Sequence, residues 1–183
     1  MPGRARGTPP VLDVHRLRAG LAAAAPSVAL FLAILLLAVP LRLFQGMVPT
    51  PILSLLIVFL YGLYDPDALP APVIFAAGLV LDLMTGQGIG PWASVHLLVF
   101  FLIVGQRTYF LGRARDVVWI GCAALLTLAL LVLWLEHSLL SGGWQPILGA
   151  AYQFAITIAL YPVAAYVFFW LRARQGVREE WQV

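Results

Sequence analysis

Lysine is absent from this chain, and cysteine occurs once. All eleven basic residues are arginine, eight residues are acidic, and 62% of the 183 residues are apolar while only 10% are charged. Soluble domains carry about 25% charged residues. The composition therefore excludes an ordinary water-facing surface and leaves one small domain with lipid as its solvent. Cys122 has no partner for an intrachain disulfide and no metal-site spacing, so it reads as a small packing residue. The net charge of +3 sits mostly in the tails and one loop, which excludes a nucleic-acid surface.

Catalytic patterns are missing too. No HExxH, CxxC, GxSxG or phosphate loop is present. His15 lies in the N-terminal tail, and His96 stands alone in an apolar run. His137 follows Glu136, but neighbours on a helix point in different directions and make no dyad. Gly86, Gly88 and Gly90 tempt a dinucleotide reading, yet GxGxG without a preceding strand and a downstream ribose-binding acid lacks the mechanism. The expectation is a chain that is not an enzyme and needs no cofactor or metal.

What the chain does have is long apolar runs. A spanning helix needs about 20 mostly apolar residues. Six segments are expected to span, over 20–41, 47–64, 68–84, 91–111, 117–135 and 144–171. The predicted class is an all-α integral membrane protein: a six-helix bundle over 20–171, a basic cytoplasmic tail over 1–19 and a cytoplasmic tail over 172–183. Residues 11–20 read as a short interfacial helix leading into the first span. That first run is longer than the 7–15 apolar residues of a signal peptide's core and has no small-residue cleavage site, so an uncleaved helix is expected.

The arginines test the count. With six spans and both termini inside, ten arginines are cytoplasmic and only Arg42 is outside, as the positive-inside rule requires. If the weakest segment, 68–84, fails to cross, the split becomes four inside and seven outside. The charge pattern therefore argues that it crosses. Trp92, Trp134 and Trp144 then fall near the outer ends of spans, and Trp119 and Trp170 near the inner ends, as in an aromatic belt.

Asp82 is the sharpest feature inside an apolar run. An acid within the membrane is by default a candidate functional residue. Here the chain turns back at once through Thr85, Gly86 and Gly90, and Pro91 opens the next helix, where its missing N–H costs nothing. A carboxylate close to that helix start is favoured by its free N–H groups and its dipole. Asp82 is thus expected to pin the turn or touch a partner helix.

The stretch from Gly78 to Gly90, followed by PWASVHLLVF, resembles the bacterial rod-shape-determining MreD family, with Gly78, Asp82, Gly86 and Gly90 at the motif positions. PTPILSLLIVFLYGLYDPDALPAP resembles the family's second span and its proline-containing loop, with Pro51, Pro66 and Pro70 matching. Where that family often places a basic residue before the loop proline, this chain has Tyr64-Asp65. The resemblance covers about residues 47–105.

It implies a non-enzymatic inner-membrane member of the cell-elongation machinery. The implied partners are a single-span MreC-like protein, MreB filaments, and the elongation glycosyltransferase and transpeptidase of peptidoglycan synthesis, with membrane lipid around it. It also implies a fold similar to the substrate-binding subunits of energy-coupling-factor transporters. The alternative is a transporter subunit or lipid-linked-precursor carrier, with Asp82, His96 and Gln153 lining a polar cavity. Gln153 and Thr157 are further expected to hydrogen-bond across helices. The Arg-rich segment RTYFLGRARD is expected chiefly to set topology.

Overall fold

Helices end in this chain where the backbone has a chemical reason to turn. Gly86 and Gly142 stop two of them in the left-handed region, at φ 65° and 68°. Glycine reaches that region without the steric cost other residues carry. Proline occupies the first turn of the helices that begin at Ala71 and Pro91, where its fixed φ suits helix entry. The computed structural model describes residues 14–38, 50–86, 88–144 and 146–179. They form α1 (Val14–Ala38), α2 (Leu53–Tyr64), a one-turn 3-10 helix (Pro66–Ala68), α3 (Ala71–Thr85), α4 (Pro91–Phe110), α5 (Arg115–Ser141) and α6 (Ile147–Glu179). No strand occurs among the described residues.

The all-α class is thus observed, and three helices are long and apolar enough to cross a bilayer: Pro91–Phe110, Arg115–Ser141 and the Ile147–Ala173 part of α6. The other apolar helices are shorter. At 12 residues, α2 reaches about 18 Å, against a hydrocarbon core of about 30 Å.

Several boundaries differ from those expected. The segment expected over 47–64 is helical only from Leu53, with 47–49 outside the described residues. The segment expected over 68–84 begins at Ala71, because the 3-10 turn and Pro70 occupy its start. The fifth helix does not stop at 135 but runs through Glu136 and His137 to Ser141. Residues 14–20 are not a separate interfacial helix; they are continuous with α1, and 11–13 lie outside the described residues.

The core explains the order of packing. Helix α2 is apolar on nearly every side, and Leu55, Leu56, Val58, Phe59, Leu60 and Leu63 are all buried. A helix apolar all round belongs in the middle, and α2 packs against α1, α4 and α6. Near its C-terminal end Gly62 lets α4 come close, since a Cβ there would lie 2.6 Å from Ile103 Cγ2. Helix α6, by contrast, exposes Val163, Tyr166, Val167, Phe169 and Trp170.

Both ends of α2 are closed by side chains from other helices. At its start, Ile52 N–H donates to Thr157 Oγ1 (3.0 Å) and Gln153 Nε2 donates to the Thr50 carbonyl (3.1 Å). At its end, Arg107 Nε donates to Leu63 O (2.9 Å) and Arg172 Nη1 to Tyr64 O (3.2 Å). Arg172 also pairs with Asp65 Oδ2 at 3.2 Å. Positive charge is favourable against a helix C-terminus. Arg107 and Arg172 thus have a packing role: α4 and α6 bring them to the Tyr64-Asp65 turn.

The Thr157 clip carries a prediction. Thr157 is fully buried and passes its own proton to Gln153 O at 2.6 Å. Thr157→Val keeps the shape but leaves the Ile52 N–H without an acceptor. The expected cost is about 1–3 kcal/mol, read as a lowered melting temperature of the purified chain in detergent.

Candidate functional site

The site is built around the reversal between α3 and α4. In α4 the N-cap position is Gly90, which has no side chain, and N1 is Pro91, which has no N–H. The first intrahelical bond runs from Ser94 N–H to Gly90 O at 2.8 Å. That leaves the N–H groups of Gly90, Trp92 and Ala93 to be satisfied from elsewhere. Asp82, one helix back and only 2% exposed, accepts all three. Gly90 N–H lies 2.9 Å from Oδ2, Trp92 N–H 2.9 Å from Oδ1, and Ala93 N–H 3.3 Å from Oδ2. The bonds to the second and third residues of α4 are those an N-cap side chain would make. Here they arrive from α3.

The neighbouring motif residues divide the remaining work. Gly86 closes α3, its N–H donating to Asp82 O at 3.0 Å. Gly90 has φ 123°, a conformation that side-chain-bearing residues rarely adopt. Thr85 does not brace the turn; its hydroxyl donates back into its own helix, to Leu81 O (3.0 Å) and Asp82 O (3.2 Å). Gly78 is the point of closest approach. A Cβ there would lie 2.8 Å from Ala93 N and 3.0 Å from the Trp92 carbonyl carbon.

A second buried polar pair lies one turn deeper. His96 Nδ1 is 2.7 Å from Trp92 O, and Nε2 is 3.0 Å from Ser54 Oγ. A carbonyl only accepts, so Nδ1 carries a proton, and the Nε2 of a neutral ring takes the Ser54 hydroxyl. This ties α4 to α2. Ser54 gave no signal in the sequence; a lone serine in an apolar helix has one only when its partner is known. Also on α4, Ser94 Oγ lies 2.9 and 3.0 Å from the two carboxylate oxygens of Glu136 on the next helix, linking α4 to α5.

Asp82, His96 and Gln153 do not share a cavity. Asp82 is committed to backbone N–H groups and His96 to Ser54, while Gln153 reaches Thr50. A cleft of about 690 Å³ does exist at this end of the bundle, but of those residues only Gln153 lines it. Its walls include Trp92, Leu133, Trp134, His137 and Ala150. Trp92 is 6% exposed and packs in the core, not in an aromatic belt. Trp134 stacks on Trp144, with ring centroids 5.3 Å apart. No cluster of three metal-ligating side chains occurs among the described residues, and Cys122 is buried in the core as a free thiol.

Chemically, the arrangement joins helices: an acceptor is delivered to a helix start, glycines permit the approach, and arginines close the opposite end of α2. No family model, curated protein or solved structure matches the chain.

Proposed function

We propose that this chain is a non-enzymatic, multi-pass scaffold of the bacterial inner membrane that acts in the cell-elongation machinery. In this reading it docks the transmembrane helix of an MreC-like partner and helps couple MreB filaments to the glycosyltransferase and transpeptidase of lateral peptidoglycan synthesis. It crosses the membrane six times with both termini cytoplasmic. The observation that carries the reading is the use made of the Gly78–Pro91 motif, the stretch that resembles the MreD family. Both carboxylate oxygens of Asp82 hold the start of α4. Such a motif builds a joint between helices, as a scaffold requires.

Two further features support it. Short helices at membrane depth need their end groups satisfied by protein, because lipid offers no hydrogen bonds. Helix α2 meets that need through Thr157, Gln153, Arg107 and Arg172, so its shortness is compatible with a place inside a six-span bundle. The outer faces of α5 and α6 are apolar, with Ile120, Leu131, Leu139, Val163 and Tyr166 exposed. That surface suits lateral contact with lipid or a partner helix. The carrier reading with Asp82, His96 and Gln153 in one cavity has less support, since the first two are occupied elsewhere.

One fusion tests the proposal. A C-terminal green fluorescent protein becomes fluorescent when it folds in the cytoplasm. The full chain carrying it, co-expressed with the MreC-like protein of the same genome and extracted in mild detergent, is expected to fluoresce and to retain that partner. A dark full-length fusion contradicts the cytoplasmic C-terminus. A fluorescent chain that never retains the partner contradicts the scaffold.

A further inference from the structure

Helix α6 reaches both ends of α2, and the two contacts differ in what their loss leaves behind. At the start of α2, the fully buried Thr157 supplies the oxygen that meets the Ile52 N–H at 3.0 Å. Withdrawing it strands a buried donor, which native structures rarely tolerate. At the end of α2, Arg172 Nη1 donates to Tyr64 O and Nη2 pairs with Asp65 Oδ2, both at 3.2 Å. Tyr64 O has a second donor in Arg107 Nη2 at 3.5 Å, and Arg107 Nε covers Leu63 O. The Arg172 and Asp65 side chains are 40% and 37% exposed, and an ion pair so exposed contributes little. Lifting Arg172 away therefore leaves both carbonyls with a donor.

Pro162 lies between the two contacts, inside α6. It has no N–H, so Ile158 O loses its donor within the helix. Trp119 of α5 takes the vacant place, its Nε1 donating to Ile158 O at 3.4 Å. Tyr161, beside the proline, is buried and sets its ring edge-on to Phe59 of α2, with centroids 6.1 Å apart. Neighbouring helices thus hold α6 at the point where its own ladder is broken. Proline is the commonest site of a bend in a helix.

Beyond that point the hold is lighter. Val163, Tyr166, Val167 and Phe169 are exposed. Phe168 packs on Tyr61 and Phe169 on Tyr64, each with centroids 5.0 Å apart. Among lipid chains such contacts gain no hydrophobic drive, because the surroundings are equally apolar. The Arg172 guanidinium lies over the Phe168 ring, 5.7 Å from its centroid, so the two move as one.

We propose that α6 is a jointed strap. The part before Pro162 stays clipped to the start of α2, and the part after it swings about the proline, with Trp119 securing the pivot. Swinging lifts Arg172 from the Tyr64-Asp65 turn and uncovers the rings of Tyr61 and Tyr64. The device is independent of the scaffold role.

The experiment measures distances between paired spin labels by electron double resonance, on the full chain in lipid nanodiscs with Cys122→Ala as background. Labels replace the exposed Thr108 and Ala173 in one sample, and Thr108 and the exposed Tyr152 in another. The pair ending at 173 is expected to show a dominant short distance and a minor long one; the pair ending at 152 shows one distance. Arg172→Gln is expected to raise the ratio of long to short about threefold, the size of an exposed ion pair. Pro162→Ala is expected to remove the long distance, also when combined with Arg172→Gln. Trp119→Phe is expected to lower the melting temperature, but not in the Pro162→Ala background, where the restored N–H at position 162 serves Ile158 O. Circular dichroism confirms that each variant is folded. A single unchanged distance in both the wild type and Arg172→Gln overturns the strap. A long distance that persists in Pro162→Ala overturns the joint, and equal melting losses from Trp119→Phe in both backgrounds overturn the pivot.

Discussion

Asp82→Ala is expected to lower the stability of the purified chain by about 3 kcal/mol, from two buried N–H groups at ~1–3 kcal/mol each with partial rehydration. The measurement is thermal unfolding in detergent followed by tryptophan fluorescence. The argument starts from the sequence of α4. Its N-cap is glycine and its first helical residue is proline, so α4 cannot cap itself. Deleting the carboxylate strands Trp92 and Ala93 N–H in the protein interior and Gly90 N–H at its margin. An ordinary N-cap loss costs about 0.5–2 kcal/mol where water can replace the side chain; here two of the three bonds are buried, so the larger figure applies. Asp82→Asn should fall between the wild type and Ala. One amide oxygen can still accept, but the amide NH2 would face an N–H. An Ala variant that melts with the wild type would remove the pin, and loss of a transport activity in a normally folded Asn variant would restore the carrier reading.

The path from sequence to this site was short where the interaction was local. Asp82, Gly86 and Gly90 lie within eight residues of each other, and a reversal so tight has to bring the start of α4 back against the end of α3. Pro91 marks where α4 begins because the N–H that proline lacks would have no intrahelical acceptor at that position. The all-α class follows from uncharged apolar runs that are too long for strands.

Long-range partners were not legible. The start of α2 depends on Thr157 and Gln153, separated from it by 105 and 103 residues. Hydropathy alone therefore extends the segment back to 47. Glu136 reads as the polar end of a span, yet α5 carries on past it until Gly142 closes the helix, and the carboxylate meets Ser94 on α4. Thr85 reads as a turn residue but spends its hydroxyl within its own helix. Trp92 reads as a membrane-surface residue from its position near a helix end, yet it packs in the core and lines the cleft with Leu130, Leu133 and Trp134 of α5, which a one-dimensional count does not record. The cleft is assembled by four helices, with Thr85 of α3, Trp92 of α4, Leu133 of α5 and Ala150 of α6 in its wall, and no stretch of sequence contains it.

Gly78 is the position where the smallest addition should do the most damage. A methyl group there would meet the Ala93 Cα and N and the Trp92 carbonyl carbon. These are backbone atoms of a packed helix and cannot rotate aside. Relief requires moving α4 away from α3, and the first bond to stretch is the longest one at Asp82, Ala93 N–H to Oδ2 at 3.3 Å. Gly78→Ala is therefore expected to cost about 3 kcal/mol, the upper end for overpacking, and Gly78→Val to prevent recovery of folded protein. Gly86→Ala is the control. It has φ 65° and nothing within 4 Å of the added atom, so only the left-handed backbone is penalised, at about 1 kcal/mol. Because Gly78 and Asp82 act on the same bonds to α4, their effects should not add. In a double-mutant cycle, Gly78→Ala with Asp82→Ala is expected to be less damaging than the sum of the two by about 1 kcal/mol or more. Strict additivity would mean that the glycine approach and the carboxylate cap are separate devices, and that the α3–α4 joint is not one cooperative unit.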